Sequence, residues 1–319
     1  MVAYGLTLSS EEHGPTKLVE IARAAEAAGF DFLSISDHYH PWIGAQGHSP
    51  FVWSVLGALA EATESIEIGV GVTCPTVRIH PAVVAQAVAT TACLLEGRFT
   101  WGVGTGEALN ESIFGDRWPP APIRLDMMEE AVHVVRRLLT GESVTHHGRH
   151  YTVEDARIFD LPAEAPPIVI SAFGPLAAER AATIGDGLWS TGVKSDVIDT
   201  WRDAGGSGPV WSQLSCCWDP DRDVAVERAH RQWPNTALPG QLSQDLRTVD
   251  HFEQAVQIVT PDMIADSTPC GPDIVEPLVD SSRAAVDAGV DHIYFHQIGD
   301  PTDGFIAMWE RELRNALPR

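Results

Sequence analysis

The chain has 319 residues, of which 44% are hydrophobic and 20% are charged, a composition typical of a globular protein. Its 44 acidic residues outnumber 21 basic ones, so the formal net charge at pH 7 is −23. Such a surface repels nucleic acids and anionic membranes, and we expect neither as a partner. The longest apolar runs are shorter than the roughly 20 residues that span a bilayer.

The five cysteines have neither the spacing of a disulfide framework nor the CxxC spacing of a metal site. The opening MVAYGLTLSSEE lacks the basic region and apolar core of a secretory signal. These features predict a cytoplasmic protein with reduced cysteines. The histidines of THHGRH lie in a predicted hairpin without a neighbouring cysteine, so we expect them to be solvated and predict no metal site.

Strand-like and helix-like segments alternate along the chain. AYGLTL is followed by the helical pattern TKLVEIARAAEAAGF, DFLSIS by PFVWSVLGALAEAT, and IEIGVGV by HPAVVAQAVATTACLLEG. FTWGVGTG then precedes RLDMMEEAVHVVRRLLTG, and PIVISAF precedes PLAAERAATIG. GLWSTG, VWSQLSCCW and HIYFHQIG complete the strands, and DGFIAMWERELRNAL is a closing helix. Eight strands are therefore predicted, near residues 4, 32, 67, 100, 168, 188, 210 and 293.

Most of these strands are continuously apolar, which is typical of parallel strands buried on both faces. Eight such units predict an α/β fold, a (β/α)₈ TIM barrel that forms one domain over residues 1–319. Two stretches interrupt the alternation and are interpreted as insertions: a hairpin near residues 142–162 and a Pro-rich segment at residues 234–270. A doubly wound sheet is the alternative, but GVGTGEALNE is a poor dinucleotide-binding fingerprint and follows the fourth strand rather than the first.

In a barrel of this kind the active site lies at the carboxyl ends of the strands. Polar residues follow six of the eight predicted strands: Asp37 and His38, Cys74 and Thr76, Glu107 and Asn110, Ser171 to Gly174, Lys194, and His296 with Gln297. Taken singly, Asp37 is also typical of a turn or a helix cap, and Trp42 of core packing. Six polar strand ends on one face together predict an active site.

At SDHYHPW, QGHSPFVW, GVGVTCPTVRIHPAVVAQAVAT, GVGTGEALNE and GDGLWSTG the chain resembles the bacterial-luciferase-like (LLM class) family, specifically its F420-dependent glucose-6-phosphate dehydrogenase-like branch. SDHxxPW together with GTGEALNE is a specific pair of motifs. The resemblance implies a luciferase-like TIM barrel, a homodimer, and a deazaflavin or flavin at the barrel mouth. The expected activity is hydride transfer between coenzyme F420 and the alcohol or carbonyl group of a small molecule.

The resemblance also implies roles for individual residues. His38 and Glu107 would transfer protons around the hydride step, in an order that the sequence leaves open, and Trp42 would form a wall of the substrate pocket. Asp37 would bind the cofactor, and Gly71–Val72 would be a non-prolyl cis peptide behind its ring. The other implied cofactor contacts are Cys74, Thr105, Gly106, Asn110, Phe173, Gly174, Leu176 and Ala177.

Several positions depart from this pattern. Relatives that oxidise sugar phosphates bind the phosphate with several cations. In this chain Lys194 is the one counterpart identified, and Asp262 and Asp266 stand where a second cation is expected. Cys74 replaces a threonine of F420 users, and Phe173 replaces a glycine. These departures leave open an FMN-dependent oxidoreductase or monooxygenase. A non-catalytic flavin-binding protein is a third interpretation, against which the intact proton-transfer residues argue.

Overall fold

The computed structural model describes residues 2–319. Within that range the strands are β1 (Ala3–Leu8), β2 (Phe32–Ile35), β3 (Glu67–Thr73), β4 (Phe99–Val103), β5 (Val144–His147), β6 (Thr152–Ala156), β7 (Ile168–Ser171), β8 (Gly187–Ser190), β9 (Val210–Cys216) and β10 (His292–Gln297). The helices are α1 (Pro15–Ala27), α2 (Val52–Ala62), α3 (Pro81–Leu95), α4 (Ala108–Glu111), α5 (Ala121–Leu138), α6 (Pro175–Ile184), α7 (Ser195–Asp203), α8 (Arg222–Gln232), α9 (Leu242–Asp245), α10 (Val249–Ala255), α11 (Pro261–Ser267), α12 (Val275–Asp287), α13 (Thr302–Met308) and α14 (Arg314–Ala316).

Eight of the strands form a closed parallel barrel in the order β1-β10-β9-β8-β7-β4-β3-β2. The strands predicted from the sequence are these eight, and the (β/α)₈ prediction is confirmed. All four residues of β2, β7 and β8 are buried, because barrel strands face an inner core on one side and a ring of helices on the other. Apolar runs without alternation are the sequence pattern that this double burial requires.

Large aromatic side chains fill part of the barrel interior. The rings of Trp189 and Trp211 stack with centroids 4.6 Å apart, and the indole N–H of Trp189 donates to the hydroxyl of Tyr294 at 2.7 Å. A Cβ at Gly69 would lie 2.8 Å from the Trp189 ring. Glycine in β3 therefore makes room for an indole that a larger residue would displace.

The two interruptions of the alternation lie outside the barrel wall. Strands β5 and β6 pair antiparallel as a small hairpin, and the Glu130 carboxylate of α5 accepts the backbone N–H groups of residues 149–151 at its turn. Residues 234–270 fold into short helical segments, among them α9, α10 and α11. One of their side chains, Phe252, is fully buried in a cluster with Ile43 and Leu109, so this segment packs against the loop that follows β2 and against α4.

None of the helices in residues 2–319 combines the length and the apolarity that a membrane crossing requires.

Candidate active site

Asp37, the residue that the SDHYHPW segment contributes after β2, is buried beside a cation from the next strand end. Its Oδ1 accepts a hydrogen bond from Nη2 of Arg78 at 2.9 Å. Its Oδ2 is also buried but has no hydrogen-bond partner. A buried carboxylate oxygen without a donor is costly. Asp37 therefore has one oxygen bound by Arg78 and one unpaired acceptor at the rim of the barrel.

Arg78 joins Asp37 to a second carboxylate, that of Glu111 at the end of the GTGEALNE segment. The Arg78 Nε lies 3.4 Å from Oε1 of Glu111. Burial alone would lower the pKa of the Arg78 guanidinium, but Asp37 and then Glu111 raise it above its ordinary value. Burial raises the pKa of Glu111, against the opposing effect of its Arg78 contacts. The positive charge of one guanidinium thus lies between two buried carboxyl groups and partly compensates their charge.

His38 is partly buried between an acid and an aromatic ring. Its Nδ1 lies 3.3 Å from the carbonyl oxygen of His40, and since a carbonyl only accepts, Nδ1 carries the proton in this contact. Its Nε2 lies 3.5 Å from Oε1 of Glu11. The ring meets that of Trp42 edge-on, with centroids 5.0 Å apart. Nε2 is therefore the nitrogen free to gain a proton, and Glu11 would stabilise the resulting cation.

Glu11 belongs to a polar segment after β1 that is buried throughout: residues 9–13 are at most 7% exposed. Its neighbour Glu12 binds Nε2 of His296, which lies at the end of β10, at 2.8 Å, and the backbone N–H of Gly299 at 2.8 Å. Burial alone would raise the pKa of Glu12, but attraction and hydrogen bonding from His296 hold the pKa below its usual value. The β1 end thus supplies two acids, each paired with a histidine from another strand end.

Asn110 holds the backbone of the SDHYHPW loop. Its side-chain oxygen accepts the backbone N–H groups of Tyr39 and His40, both at 2.9 Å, and its amide nitrogen lies 3.5 Å from Oε2 of Glu107. It is 1% exposed. This oxygen is already engaged within the protein, and the predicted contact of Asn110 with the cofactor stays a prediction.

Trp42, at the barrel rim, contacts the segment of residues 234–270. Its ring meets that of Phe252 edge-on at 5.2 Å between centroids, and its backbone N–H donates to Oε1 of Gln46 at 2.8 Å. Gln46 in turn donates to the carbonyl of Gln232 at 2.9 Å. Trp42 is therefore anchored on two sides, with His38 on a third.

The remaining predicted cofactor residues form two groups. The peptide bond between Gly71 and Val72 is cis, as the resemblance implied. Cys74 follows on the same strand end, and burial, together with Glu107 and other nearby acids, raises the pKa of its thiol well above the usual value, so the thiol is neutral. Thr105 and Gly106 follow the neighbouring strand, and Gly106 has φ +82°, a conformation that glycine adopts without strain.

The second group lies where β7 passes into α6. Gly174 immediately precedes α6, which begins at Pro175 and contains Leu176 and Ala177. The Phe173 and Leu176 side chains are exposed. Nζ of Lys194 lies 4.7 Å from the centroid of the Phe173 ring, a cation–π distance. Lys194 therefore contacts an aromatic ring rather than the Asp37 and His38 group.

Four acidic or basic residues of this rim were not predicted from the sequence: Glu11, Glu12, Arg78 and Glu111. Arg78 and Glu111 lie at strand ends that the prediction considered only in part, and Glu11 and Glu12 follow β1, whose end it did not consider. The strand preceding SSEEH is as apolar as the others, so two consecutive acids directly after it were a usable signal. Arg78 and Glu111 stand inside quoted motifs, where no local pattern distinguishes a buried ion pair from a solvated one.

The profile of the family described as luciferase-like monooxygenase matches residues 3–292. The chain belongs to this family. It is 35% identical to the F420-dependent glucose-6-phosphate dehydrogenase of Microbacterium testaceum over 329 aligned positions, covering 99% of this chain and 96% of the relative. It is 34% identical to the enzyme of the same name from Segniliparus rotundus, covering 99% and 98%.

A solved structure with a similar fold is an F420-dependent secondary alcohol dehydrogenase in complex with an F420–acetone adduct. The two sequences are 28% identical, and the structures superpose with a TM-score of 0.91 over 100% of this chain and 99% of that one. Similarity of this extent covers the barrel and both insertions together.

Replacing Asn110 by alanine should lower the free energy of unfolding by about 2–3 kcal/mol, because two partly buried backbone N–H groups lose their acceptor. Urea denaturation measures this loss, and hydrogen exchange should be faster at Tyr39 and His40. Asn315→Ala is the matched control: Asn315 is exposed, and we expect a change within about 0.5 kcal/mol. Equal stability of the two variants would contradict the role assigned to Asn110.

Proposed function

We propose that the protein is an F420-dependent oxidoreductase that transfers hydride between the deazaflavin ring and an alcohol or carbonyl group of an uncharged small molecule. The structural observation that carries this proposal is the buried, unpaired Oδ2 of Asp37 at a rim that also holds His38. The relatives named above, which match over almost their whole length, are F420-dependent dehydrogenases, which supports the same conclusion.

The residues present fit such a cofactor. Asp37 would accept a hydrogen bond from an N–H or O–H group of the ring, since Oδ2 is an acceptor without a donor. The cis peptide Gly71–Val72, Cys74, Thr105 and Gly106 would line the ring. The first turn of α6 has free backbone N–H groups of the kind that bind phosphate, so Phe173, Gly174, Leu176 and Ala177 would receive the phosphate-bearing chain.

F420 supplies a ring carbon that accepts or donates a hydride when it is bound. The protein must then move the hydroxyl proton of the alcohol. His38 can take it at Nε2, because Nδ1 is committed to the His40 carbonyl, and Glu11 at 3.5 Å would stabilise the protonated ring. Glu107, beside Asn110, would hold the second proton near the cofactor. Trp42 and the segment around Phe252 would exclude water.

Titration of the apoprotein tests this function directly. F420 should bind at least about tenfold more tightly than FMN, because relatives that are 34% and 35% identical along almost the whole chain are F420-dependent. His38→Ala and Glu107→Gln should keep F420 but lose turnover of secondary alcohols by about 10²–10⁴-fold, as expected for general acid–base groups.

His147→Ala serves as the control, since His147 is exposed in the hairpin, and its turnover should equal that of the wild type. Tighter binding of FMN than of F420 would favour the flavin-dependent alternative. Binding of either cofactor without any turnover would favour a flavin-binding protein.

The substrate that we propose is not a sugar phosphate. A phosphate dianion requires several converging cations, whereas Lys194 stacks on Phe173. At the position expected for a second cation, α11 has two acids, Asp262 and Asp266, and both are exposed. The part of the rim around Trp42 is instead aromatic and aliphatic. Such a wall favours small, uncharged alcohols and carbonyl compounds.

Glucose 6-phosphate should therefore have a kcat/KM about two to three orders of magnitude below that of a simple secondary alcohol, because two charge-assisted contacts are missing. Steady-state kinetics on F420-loaded enzyme measures this ratio. Lys194→Ala should leave the ratio unchanged, as should Lys17→Ala, which removes the only other lysine of the chain. Efficient turnover of the sugar phosphate that Lys194→Ala alone abolishes would refute the substrate assignment.

We also propose a homodimer that forms through the outer face of α2 and α3. This face contains an apolar groove of about 320 Å³, and three large apolar side chains beside it are more than half exposed: Phe51, Val83 and Leu94. Val83, Ala87, Thr90 and Leu94 recur at helical spacing along α3, so one stripe of the helix faces outward. A second copy of the chain would cover this stripe.

Light scattering in moderate salt should give about 69 kDa, twice the 34.5 kDa of one chain. The double variant V83E/L94E should be monomeric, because two buried carboxylates would face an apolar partner surface. Val224→Glu is the control, at an exposed apolar position on α8, and should remain dimeric. A wild-type mass near 35 kDa would exclude the dimer.

The cellular location that we propose is the cytoplasm. All five cysteines are free, and free thiols persist in a reducing compartment. Recovery of the protein from the periplasmic or secreted fraction after cell fractionation would overturn this assignment.

A further inference from the structure

Three charged side chains from three different strand ends meet under the rim of the barrel. Asp37 follows β2, Arg78 follows β3, and Glu111 ends α4 after β4. Their side chains are 0%, 5% and 1% exposed respectively. Charges buried to this degree persist only where they are paired and hydrogen-bonded.

Glu111 fixes the turn that presents Arg78. Its Oε2 accepts the backbone N–H groups of Val77 at 3.2 Å and Arg78 at 2.7 Å. Its Oε1 meets the Nε of the same arginine at 3.4 Å. One carboxylate therefore holds both the backbone and the side chain of Arg78, which limits the directions in which the guanidinium can point.

A second nitrogen of the guanidinium binds Asp37. Nη2 of Arg78 binds Oδ1 at 2.9 Å, and this contact restricts the rotation of the carboxylate. Oδ2 is left buried and without a donor. The two acids outnumber the one cation, so the group as a whole attracts a hydrogen-bond donor rather than an anion.

We infer that Arg78 is a positioning residue for cofactor binding: its guanidinium bridges Glu111 and Asp37 and so directs the free Oδ2 of Asp37 toward an N–H or O–H donor of the bound ring. This inference rests on the proposed function. Arg78 contributes through Asp37 alone, and its raised pKa keeps it charged throughout the working pH range.

Lysine cannot replace it. The guanidinium binds the two acids through different nitrogens, Nε and Nη2, in one plane, whereas an ammonium group offers a single nitrogen on a flexible stem. Arg78→Lys would keep the charge but lose one of the two contacts. It therefore separates the effect of charge from the effect of orientation.

The test is a double-mutant cycle read by F420 fluorescence titration. Arg78→Met and Asp37→Ala should each weaken F420 binding by about 10- to 100-fold, the loss expected for a charge-assisted hydrogen bond. In the Asp37→Ala background, Arg78→Met should weaken binding by less than about twofold, because the residue through which it acts is gone. Arg78→Lys should fall between the wild type and Arg78→Met.

Arg228→Met is the matched control, since it removes a partly buried arginine paired with Asp219 elsewhere in the fold. It should lower the melting temperature and leave the F420 affinity within about twofold. If Arg78→Met does not fold, Arg78→Lys alone and combined with Asp37→Ala completes the cycle.

Wild-type affinity in the Arg78 variants, or losses that multiply in the double variant, would overturn the inference and leave the proposed function standing. A wild-type protein that fails to bind F420 would reject both.

Discussion

All features of the site depend on one constraint: eight parallel strands can close into a barrel only if their carboxyl ends meet at one rim. Residues far apart in the chain are thereby placed side by side. Closure between β1 and β10 is the reason that Glu12 reaches His296, 284 residues later. The adjacent pairing of β2 with β3 and of β3 with β4 likewise assembles the group around Arg78.

The rim holds more acidic than basic side chains, and its acids have two kinds of partner. Glu11 and Glu12 face histidines, whose charge depends on protonation, whereas Asp37 and Glu111 share a permanently charged guanidinium. The first arrangement would stabilise a protonated histidine, and the second holds the Asp37 carboxylate beside a fixed positive charge. Under the proposed function, proton transfer and cofactor binding would therefore involve separate groups within one small region.

The chain matches its relatives over almost its whole length, and the part of its rim around Trp42 is apolar. The barrel and the Asp37, His38 and Glu107 positions are the parts that the resemblance identified. Residues 234–270 contact Trp42 through Phe252, and the cluster around this contact is apolar. A segment outside the barrel can therefore change what the rim accepts without changing the strands, since loops tolerate substitution better than the core.

The sequence by itself determined the eight strands, their parallel arrangement and the rim positions of Asp37, His38, Trp42 and Glu107, because double burial and strand-end polarity leave local patterns. It did not determine that Asn110 binds the backbone of the SDHYHPW loop, or that Arg78 joins two acids. Those contacts link residues 33 to 71 positions apart. Only the tertiary structure decided them, because which carboxylate faces which donor depends on strand register and loop geometry, and neither leaves a periodic signal in the chain.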